Sequence, residues 1–306
     1  MAKVYFKYLK FDKILFTKFM IKCQIKNLIK SLEMQILKSI SEVLEFRKNC
    51  TGSVGFVPTM GALHAGHASL IKKSVEQNDN TIVSIFVNPT QFLPGEDLDK
   101  YPRNEVGDTK ICELCGASAV FFPDANEMYG KDEPLILAPK ELSSSLEGAL
   151  RPGHFDGVCR VLNKFFNIIR PDRAYFGKKD AQQLTIIQNM VKNFFMNLEI
   201  VPCEIVRESD GLALSSRNSY LGDDELCYAL KLSRSIMKAS NLIKANELNA
   251  LKIKAAMSEC LEPLKVDYVA IVNRNFEPIE NVELGNTIIL VAAYVGKTRL
   301  IDNLWV

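Results

Sequence analysis

The chain has 306 residues, of which 47% are hydrophobic and 24% charged, a length typical of two domains and a composition that allows a sizeable buried core. Its formal net charge is +2, but residues 1–33 contain eight Lys and two acids, whereas 34–306 contain 30 basic and 34 acidic residues. The acidic body lacks the basic excess of a nucleic-acid-binding protein, and no apolar run reaches the ~18 residues of a membrane span. We therefore expect neither nucleic acid nor a membrane among its partners.

The first 33 residues differ in composition from the rest of the chain. They are rich in Lys, Ile and Phe and contain no Gly, Pro or Arg. A transit peptide would favour Arg and Ser, so this segment does not fit that pattern. We interpret 1–33 as a basic extension outside the folded body, with an amphipathic surface helix as the alternative.

From Met34 onward the hydrophobic pattern becomes regular. Residues 35–48 are predicted to form an amphipathic helix with Ile36, Ile40, Val43 and Leu44 on one face. The next elements are strand 54–57, the Gly-rich segment 59–66, helix 67–77 and strand 81–87. Strand, loop, helix and strand in such close succession form a βαβ unit, which predicts a parallel sheet.

The alternation continues to about residue 206 and then changes. Helices are predicted at 104–115, 157–169 and 180–195, and strands at 119–122, 173–176 and 199–206. Two helices within 223–263 and strands at 267–272, 287–295 and 299–305 follow. We therefore predict an α/β fold: a doubly wound, Rossmann-like parallel sheet over 34–208 and a smaller C-terminal α+β domain over 209–306.

The eight cysteines have no repeated spacing and no secretory signal precedes them, which indicates reduced thiols in a cytoplasmic protein. Cys112 and Cys115 form a single C-x-x-C pair. Without a second pair this is weak evidence for zinc or redox chemistry, and we interpret both as partly buried helix residues.

Two of the chain's three histidines lie in His64-Ala-Gly-His67, between a predicted strand and a helix N-terminus. Glycine lets the backbone approach a phosphate, the helix end offers free N–H groups, and imidazoles can hydrogen-bond phosphate oxygens. The alternative is a pair of ordinary loop histidines. Zinc is less favoured, because no third ligand is evident nearby.

Two further segments carry anion-binding residue types. Gly177-Lys178-Lys179-Asp180 places lysines at a helix N-terminus, against the helix dipole, which an anionic ligand would explain. Ser215-Ser216-Arg217 combines short hydroxyl donors with a guanidinium fork suited to phosphates. Solvated surface lysines and a polar interdomain loop are the alternatives. Because both segments and the histidines follow strands of one sheet, we expect them to meet at its carboxyl edge.

The histidine pair together with Ser215-Ser216-Arg217 resembles the paired signatures of the nucleotidylyltransferase and class I aminoacyl-tRNA synthetase superfamily. Longer strings over 34–306 are similar to the pantothenate synthetase family; they lie at 58–67, 84–92, 101–103, 151–157, 176–183, 210–218 and 295–303. The resemblance implies an ATP-dependent ligase that joins (R)-pantoate to β-alanine through a pantoyl adenylate, releasing AMP and pyrophosphate. It also implies Mg²⁺ and a homodimer. Another nucleotidylyltransferase with the same histidine motif is the alternative.

The resemblance further assigns roles to single residues. His64, His67 and Lys179 are the implied catalytic residues, and Gln91 and Gln183 the implied pantoate- and β-alanine-binding residues. The implied ATP-binding residues are Met60, Gly61, Ala62, Leu63, His64, Ala65, Gly66, His67, Gly177, Lys178, Lys179, Asp180, Val206, Leu214, Ser215, Ser216 and Arg217.

Three further positions are implied by the resemblance with less detail. Arg151 and His154 match a pair that lines the active-site cavity, and Asp108 matches a carboxylate near Mg²⁺. Lys178 stands where the family usually has Glu, so we expect its added positive charge beside the phosphates to alter ATP affinity.

The break in composition at Met34 gives a first testable prediction. Deleting residues 1–33 is expected to leave thermal stability and enzymatic activity nearly unchanged, because the folded body is predicted to begin after them. Thermal unfolding and turnover of the full and shortened chains test this, and a large loss of either property would show that the extension packs on the body.

Overall fold

The computed structural model describes residues 33–306, so the predicted extension lies outside the described residues except for Glu33. These residues form two sheets. The strands are β1 (Gln35–Leu37), β2 (Val54–Thr59), β3 (Asn80–Ile85), β4 (Ala119–Phe121), β5 (Arg173–Gly177), β6 (Glu199–Cys203), β7 (Lys265–Asn273), β8 (Thr287–Val295) and β9 (Thr298–Trp305). The helices are α1 (Ile40–Asn49), α2 (Ala65–Gln77), α3 (Glu105–Leu114), α4 (Ala125–Met128), α5 (Lys140–Ser143), α6 (Leu146–Leu150), α7 (His154–Ile169), α8 (Ala181–Asn193), α9 (Asp223–Lys244) and α10 (Ala250–Leu261).

The larger sheet has six strands in the order β1-β4-β3-β2-β5-β6, all paired in parallel. The chain runs outward from β2 through β3 to β4 and then crosses back to place β5 on the other side of β2. The loops after β2 and β5 therefore leave the sheet side by side at its carboxyl edge, which is where such sheets bind ligands. The doubly wound α/β prediction is confirmed.

Alternating side chains of β2 show why this sheet is covered on both faces. Phe56 packs with Phe165 of α7, at a ring-centroid distance of 5.5 Å, and with Phe166. Val57 points to the opposite face, where Ile71 of α2 closes a second apolar cluster. Strand residues alternate between faces, so a buried parallel strand needs apolar side chains at consecutive positions.

The predicted helix 35–48 is wrong in its first turn. Residues 35–37 instead form β1, which pairs with β4, and the helix starts at Ile40 because Ser39 caps it. The Ser39 hydroxyl accepts the Glu42 amide at 3.2 Å, and the Glu42 carboxylate accepts the Ser39 amide at 3.1 Å. Of the predicted apolar face, Val43 is buried whereas Ile36 and Leu44 are exposed.

The smaller domain consists of the antiparallel sheet β7-β8-β9 with α9 and α10 on one face. The other face carries Ala270, Ile288 and Leu290, which pack against Ala181 of the larger domain. The predicted boundary at 208/209 falls in the connection between β6 and α9. The pattern did not predict the short helices α4, α5 and α6. Within residues 33–306, none of the helices combines the length and apolarity that crossing a membrane requires.

A part-buried ion cluster joins the two domains. The Arg299 guanidinium of β9 donates to both carboxylate oxygens of Glu147 in α6 at 2.7 Å and to Asp267 of β7 at 2.6 Å. The Tyr268 hydroxyl donates to Glu147 at 2.5 Å. Burial raises the pKa of Glu147, but the bonds from Arg299 outweigh it and the net pKa is lowered. Glu147 is therefore ionised and binds the domains to each other.

Candidate active site

Two adjoining cavities lie at the carboxyl edge of the larger sheet. The inner one, of about 270 Å³, opens between the loops that follow β2 and β5. The outer one, of about 590 Å³, lies between the two domains. Both are lined by Arg151, His154, Lys179, Asp180, Gln183, Ser215 and Arg217, and the inner one also by Met60, His64, Gly66, His67, Gln91, Gly177, Val206, Leu214 and Ser216. The fold thus brings together residues that lie more than 150 positions apart.

The two histidines have fixed orientations at the start of α2. The His64 ring nitrogen Nδ1 accepts the Gly66 amide at 3.1 Å, and His67 Nδ1 accepts the His64 amide at 3.3 Å. Since each Nδ1 is an acceptor, the proton of each neutral ring lies on Nε2. The ring centroids are 4.1 Å apart, so the pair presents two N–H donors side by side.

Both imidazoles are neutral at pH 7. Burial, with a smaller effect of Lys179, lowers the pKa of His64 to about 4. Burial, followed by His64 and Lys179, lowers the pKa of His67 to about 3. A neutral donor pair can bind a polyanion without changing protonation state, so these histidines are suited to hydrogen bonding rather than to acid catalysis.

The loop that leads to His64 has an unusual backbone. Gly61 and Ala62 adopt φ of +85° and +50°, and positive values are disfavoured for Ala. Asp108 of α3 stabilises this conformation, because its carboxylate accepts the Ala62 amide at 3.0 Å and the Leu63 amide at 2.7 Å.

This arrangement does not agree with the predicted place of Asp108 near Mg²⁺. The residue is 2% exposed, both of its oxygens are bonded to the loop backbone, and it lines neither cavity. The structure instead makes it the support of the 60–67 loop. A role of Asp108 toward Mg²⁺ stays a prediction.

Gln91 presents a defined side of its amide to the cavity. Its Oε1 accepts Asn88 Nδ2 at 3.0 Å, and Asn88 Oδ1 in turn accepts the Tyr129 hydroxyl at 2.6 Å. Gln91 Nε2 faces Met60 Sδ at 3.0 Å. Gln91 therefore offers a donor to a ligand. A Cβ on Gly157 would overlap the Thr90 carbonyl, so glycine is required where α7 packs on this turn.

The two lysines in the turn after β5 have different surroundings. Lys179 lines both cavities. Lys178 lines neither; its ammonium pairs with Glu204 and lies 5.6 Å from the centroid of the Trp305 ring. The Lys178 ammonium is thus paired with Glu204, which itself lines the inner cavity, and the effect of Lys178 on ATP affinity stays a prediction.

Strand β9 holds this turn and the Ser215–Arg217 loop in place. Asn303 Nδ2 donates to the Lys178 carbonyl at 2.9 Å and to the Lys179 carbonyl at 2.7 Å. The neighbouring Asp302 accepts two bonds from Arg207, at 2.7 and 2.8 Å. Arg207 donates to the Gly211 carbonyl at 3.0 Å. Adjacent residues of one strand thereby set the spacing of two candidate phosphate-binding segments.

The segment 92–103 carries two acids that pair with cavity arginines. Asp97 accepts two bonds from Arg217, both at 3.2 Å. Glu96 accepts two from Arg151, at 2.6 and 2.7 Å. Arg151 also contacts His154 Nε2 at 3.0 Å, and the other ring nitrogen of His154 donates to the Gln91 carbonyl at 2.7 Å. Burial, together with Arg151, lowers the pKa of His154 to about 4.

The family model described as pantoate-beta-alanine ligase matches residues 34–305. The chain belongs to the pantoate-beta-alanine ligase family. A pantothenate synthetase of Campylobacter fetus is 81% identical over 273 residues, which are 89% of this chain and 100% of that protein.

Solved structures in this ligase family have the same fold. Pantothenate synthetase from Thermus thermophilus superposes with a TM-score of 0.84 at 37% identity, covering 89% of this chain and 99% of that one. The pantoate-beta-alanine ligase of Francisella tularensis, complexed with beta-gamma ATP and beta-alanine, gives a TM-score of 0.75 at 35% identity, covering 89% and 98%.

Some residues at this ligase site were not predicted from the sequence. They are Asn88, Glu96, Asp97, Tyr129, Arg207, Asp302 and Asn303. Apart from the bond between Asn88 and Gln91, three residues apart, these residues act by pairing with partners distant in the chain, and such pairing leaves no local spacing signal. The cysteine interpretation agrees with the structure: Cys112 is buried in α3 and Cys115 follows at its end. Residues 33–306 contain no group of three potential metal-ligating side chains.

The support of the 60–67 loop by Asp108 gives a second prediction. Asp108→Asn replaces one accepting oxygen by a donor that opposes a backbone N–H, so the free energy of unfolding is expected to fall by about 2 kcal/mol, the scale of one hydrogen bond to a charged group. Urea unfolding measures this. The control is Glu113→Gln, which disrupts an exposed ion pair with Lys110 on the same helix and is expected to change stability by about 0.5 kcal/mol or less. Equal effects of the two changes would contradict the assigned role.

Proposed function

We propose that this chain catalyses the ATP-dependent condensation of (R)-pantoate with β-alanine, forming pantothenate, AMP and pyrophosphate through a pantoyl adenylate. The observation that carries the proposal is a single inner cavity bordered by two histidine donors, Lys179, the Ser215–Arg217 loop and two glutamines. The anion-binding groups suit the phosphates of a nucleotide. The neutral amides suit a small hydroxy acid bound beside it. The names of the relatives, and the ATP and β-alanine complex of the Francisella ligase, support the same reaction.

ATP would lie along the loops after β2 and β5. Backbone amides of 60–67 and the Nε2–H groups of His64 and His67 would bind phosphate oxygens that gain charge as pyrophosphate departs. Lys179, Ser215, Ser216 and Arg217 would bind the remaining phosphates, and Val206 the adenine. To bind a phosphate of ATP, the Arg217 guanidinium must first release the Asp97 carboxylate.

Pantoate would lie between Gln91 and Gln183. Because Asn88 already occupies the Gln91 oxygen, the Gln91 amide would donate to a pantoate oxygen and hold the carboxylate toward the α-phosphorus. The carboxylate oxygen forms a bond to phosphorus while the bond to pyrophosphate breaks. The β-alanine ammonium loses a proton to water, and the resulting amine attacks the acyl carbon. The C–N bond forms, the C–O bond to AMP breaks, and a second N–H proton leaves to water. Positioning and charge stabilisation are the protein's main contributions.

A magnesium ion fits this donor set. Mg²⁺ bound to ATP takes most of its ligands from phosphates and water and needs only one or two carboxylates. Asp180 lines both cavities with its side chain 50% exposed, so it is the residue that we propose to contact the ion. When bound, Mg²⁺ would neutralise part of the triphosphate charge.

We extend the proposal to a cytoplasmic homodimer. The seven cysteines among residues 33–306 form no disulfide, which supports a reducing compartment. Leu135 and Leu137 are 69% and 70% exposed, and Ile36 lies half exposed on the edge strand β1. Exposed apolar side chains, and an end strand whose outer edge is unpaired within residues 33–306, favour association of two copies.

Isotope exchange provides the decisive test of the two-step mechanism. With ATP, Mg²⁺ and pantoate, but without β-alanine, labelled pyrophosphate is expected to enter ATP, because adenylation is reversible and precedes amide formation. Omitting pantoate should abolish the exchange. No exchange on a preparation that binds ATP normally would exclude the acyl adenylate. An adenylyltransferase for another substrate would also give no exchange with pantoate.

Glutamine variants test the pantoate site. Gln91→Ala and Gln183→Ala are each expected to raise the pantoate KM of the exchange by about tenfold or more, the scale of one lost hydrogen bond to a charged group, with little change in the ATP KM. Gln188→Ala, an exposed position on the same helix as Gln183, is the matched control. A rise in the ATP KM instead would move these residues from the pantoate site to the nucleotide site.

A double-mutant cycle tests whether Asn303 acts through Lys179. Asn303→Ala is expected to slow exchange about tenfold or more in the parent chain, but to have little further effect in a Lys179→Ala background, since coupled residues are not additive. Asn286→Ala, another polar change in the C-terminal domain, is the control. Additive losses would show that Asn303 only stabilises the fold.

A further inference from the structure

The second substrate of the proposed reaction carries a charge that the site described so far does not bind. β-Alanine is a zwitterion with a carboxylate two methylenes from its amine, and a buried carboxylate needs a cation. The cations around the two cavities are Lys100, Arg151, Lys179, Arg217, Lys297 and Arg299.

Most of these cations are already engaged or too distant. Lys179 and Arg217 belong to the proposed phosphate site. Arg299 is saturated by Glu147 and Asp267. Lys100 and Lys297 are exposed and do not line the inner cavity. Arg151 differs from all of them, because it lines both cavities and lies outside the proposed phosphate site.

Arg151 is also fixed beside the proposed pantoate site. Its guanidinium lies 3.5 Å from the Gln91 carbonyl oxygen and 3.0 Å from His154 Nε2, and His154 is itself bonded to that carbonyl at 2.7 Å. A carboxylate on Arg151 would therefore stand next to the residue whose side chain holds the acyl group. An amine two methylenes away would be directed toward the carbonyl it must attack.

The fork of Arg151 is occupied by a carboxylate in this structure. Glu96 binds it side-on through Nε and Nη2 at 2.6 and 2.7 Å, with both side chains about one-fifth exposed. A ligand carboxylate has the same shape and charge, and the displaced Glu96 is a ready partner for an ammonium group. The pair thus matches both charges of a zwitterion.

We propose that Arg151 binds the carboxylate of β-alanine by replacing Glu96, and so determines selectivity for amino acids over simple amines. This inference rests on the proposed function. It concerns only the second half-reaction, so pyrophosphate exchange without β-alanine reports separately on the first.

Amine selectivity of the parent chain is the first measurement. Amide formation is followed with β-alanine and with 3-aminopropanamide, which has the same amine and spacing but no carboxylate. The kcat/KM is expected to be about 10²-fold higher for β-alanine, the scale of a bidentate charged contact. Comparable values for the two amines would overturn the proposal without any variant.

Variants then assign the selectivity to Arg151. Arg151→Ala is expected to raise the KM for β-alanine about 10²-fold and to bring the two amines to similar kcat/KM, because the charged contact is lost for only one of them. Arg151→Lys, which keeps the charge without the fork, should retain part of the preference and serves if the alanine variant does not fold. Lys297→Ala removes a cation from the rim of the outer cavity and should leave the preference intact.

The exchange assay separates this inference from the proposed function. Arg151→Ala is expected to raise the pantoate KM of the exchange far less than the β-alanine KM, since at the proposed pantoate site Arg151 contacts only the backbone carbonyl of Gln91 and no carboxylate of the first substrate. A pantoate KM that rises as much as the β-alanine KM would overturn the inference by placing Arg151 on the first substrate. Retained selectivity in Arg151→Ala would overturn it as well. Absence of exchange in the parent chain would instead refute the proposed function.

Discussion

The active-site region depends on contacts that two neighbouring residues of the last strand make with the larger domain. Asn303 bonds the carbonyls of the Lys178–Lys179 turn, and Asp302 bonds Arg207 at the start of the Ser215–Arg217 loop. Asp302 and Asn303 are 3% and 2% exposed, and an unpaired polar group at a buried position is costly. Since the turn and the loop belong to separate stretches of the chain, only a third element that contacts both can keep them at a constant distance. The C-terminal domain is that element.

The parallel sheet was predictable because its signals are local. Consecutive apolar residues such as Phe56 and Val57, followed by a Gly-rich turn and a helix, indicate a strand covered on both faces. The strand β1, by contrast, was not predictable. Its three residues precede the Ser39 cap of the helix and pair with β4, more than 80 positions away in the chain. The three residues of β1 lead directly into the amphipathic pattern of the following helix, so they match that pattern rather than a separate strand.

Most predicted site residues line one cavity, because the ends of parallel strands in a doubly wound sheet converge and most of the predicted motifs follow strands. Arg151 and His154 instead lie at the junction of α6 and α7. The sequence did not give the direction of individual side chains. Asp108 faces the backbone of its own loop rather than the cavity, and Lys178 faces Glu204 whereas Lys179 faces inward. Sequence spacing gives the element on which a residue lies, but direction within a turn depends on partners elsewhere in the chain.

The ion pairs Glu96–Arg151 and Asp97–Arg217 change how accessible the two arginines of the free enzyme are to anions in solution. Each carboxylate is tethered within one short segment, so its effective concentration at its arginine is of millimolar order or above. A small anion such as chloride can make only one contact with an arginine, and it must displace the tethered carboxylate to do so. A ligand that engages several groups at once does not face the same disadvantage. The two acids thus act as built-in competitors that weak, singly bound anions fail to displace, which reserves the arginines for ligands with many points of attachment.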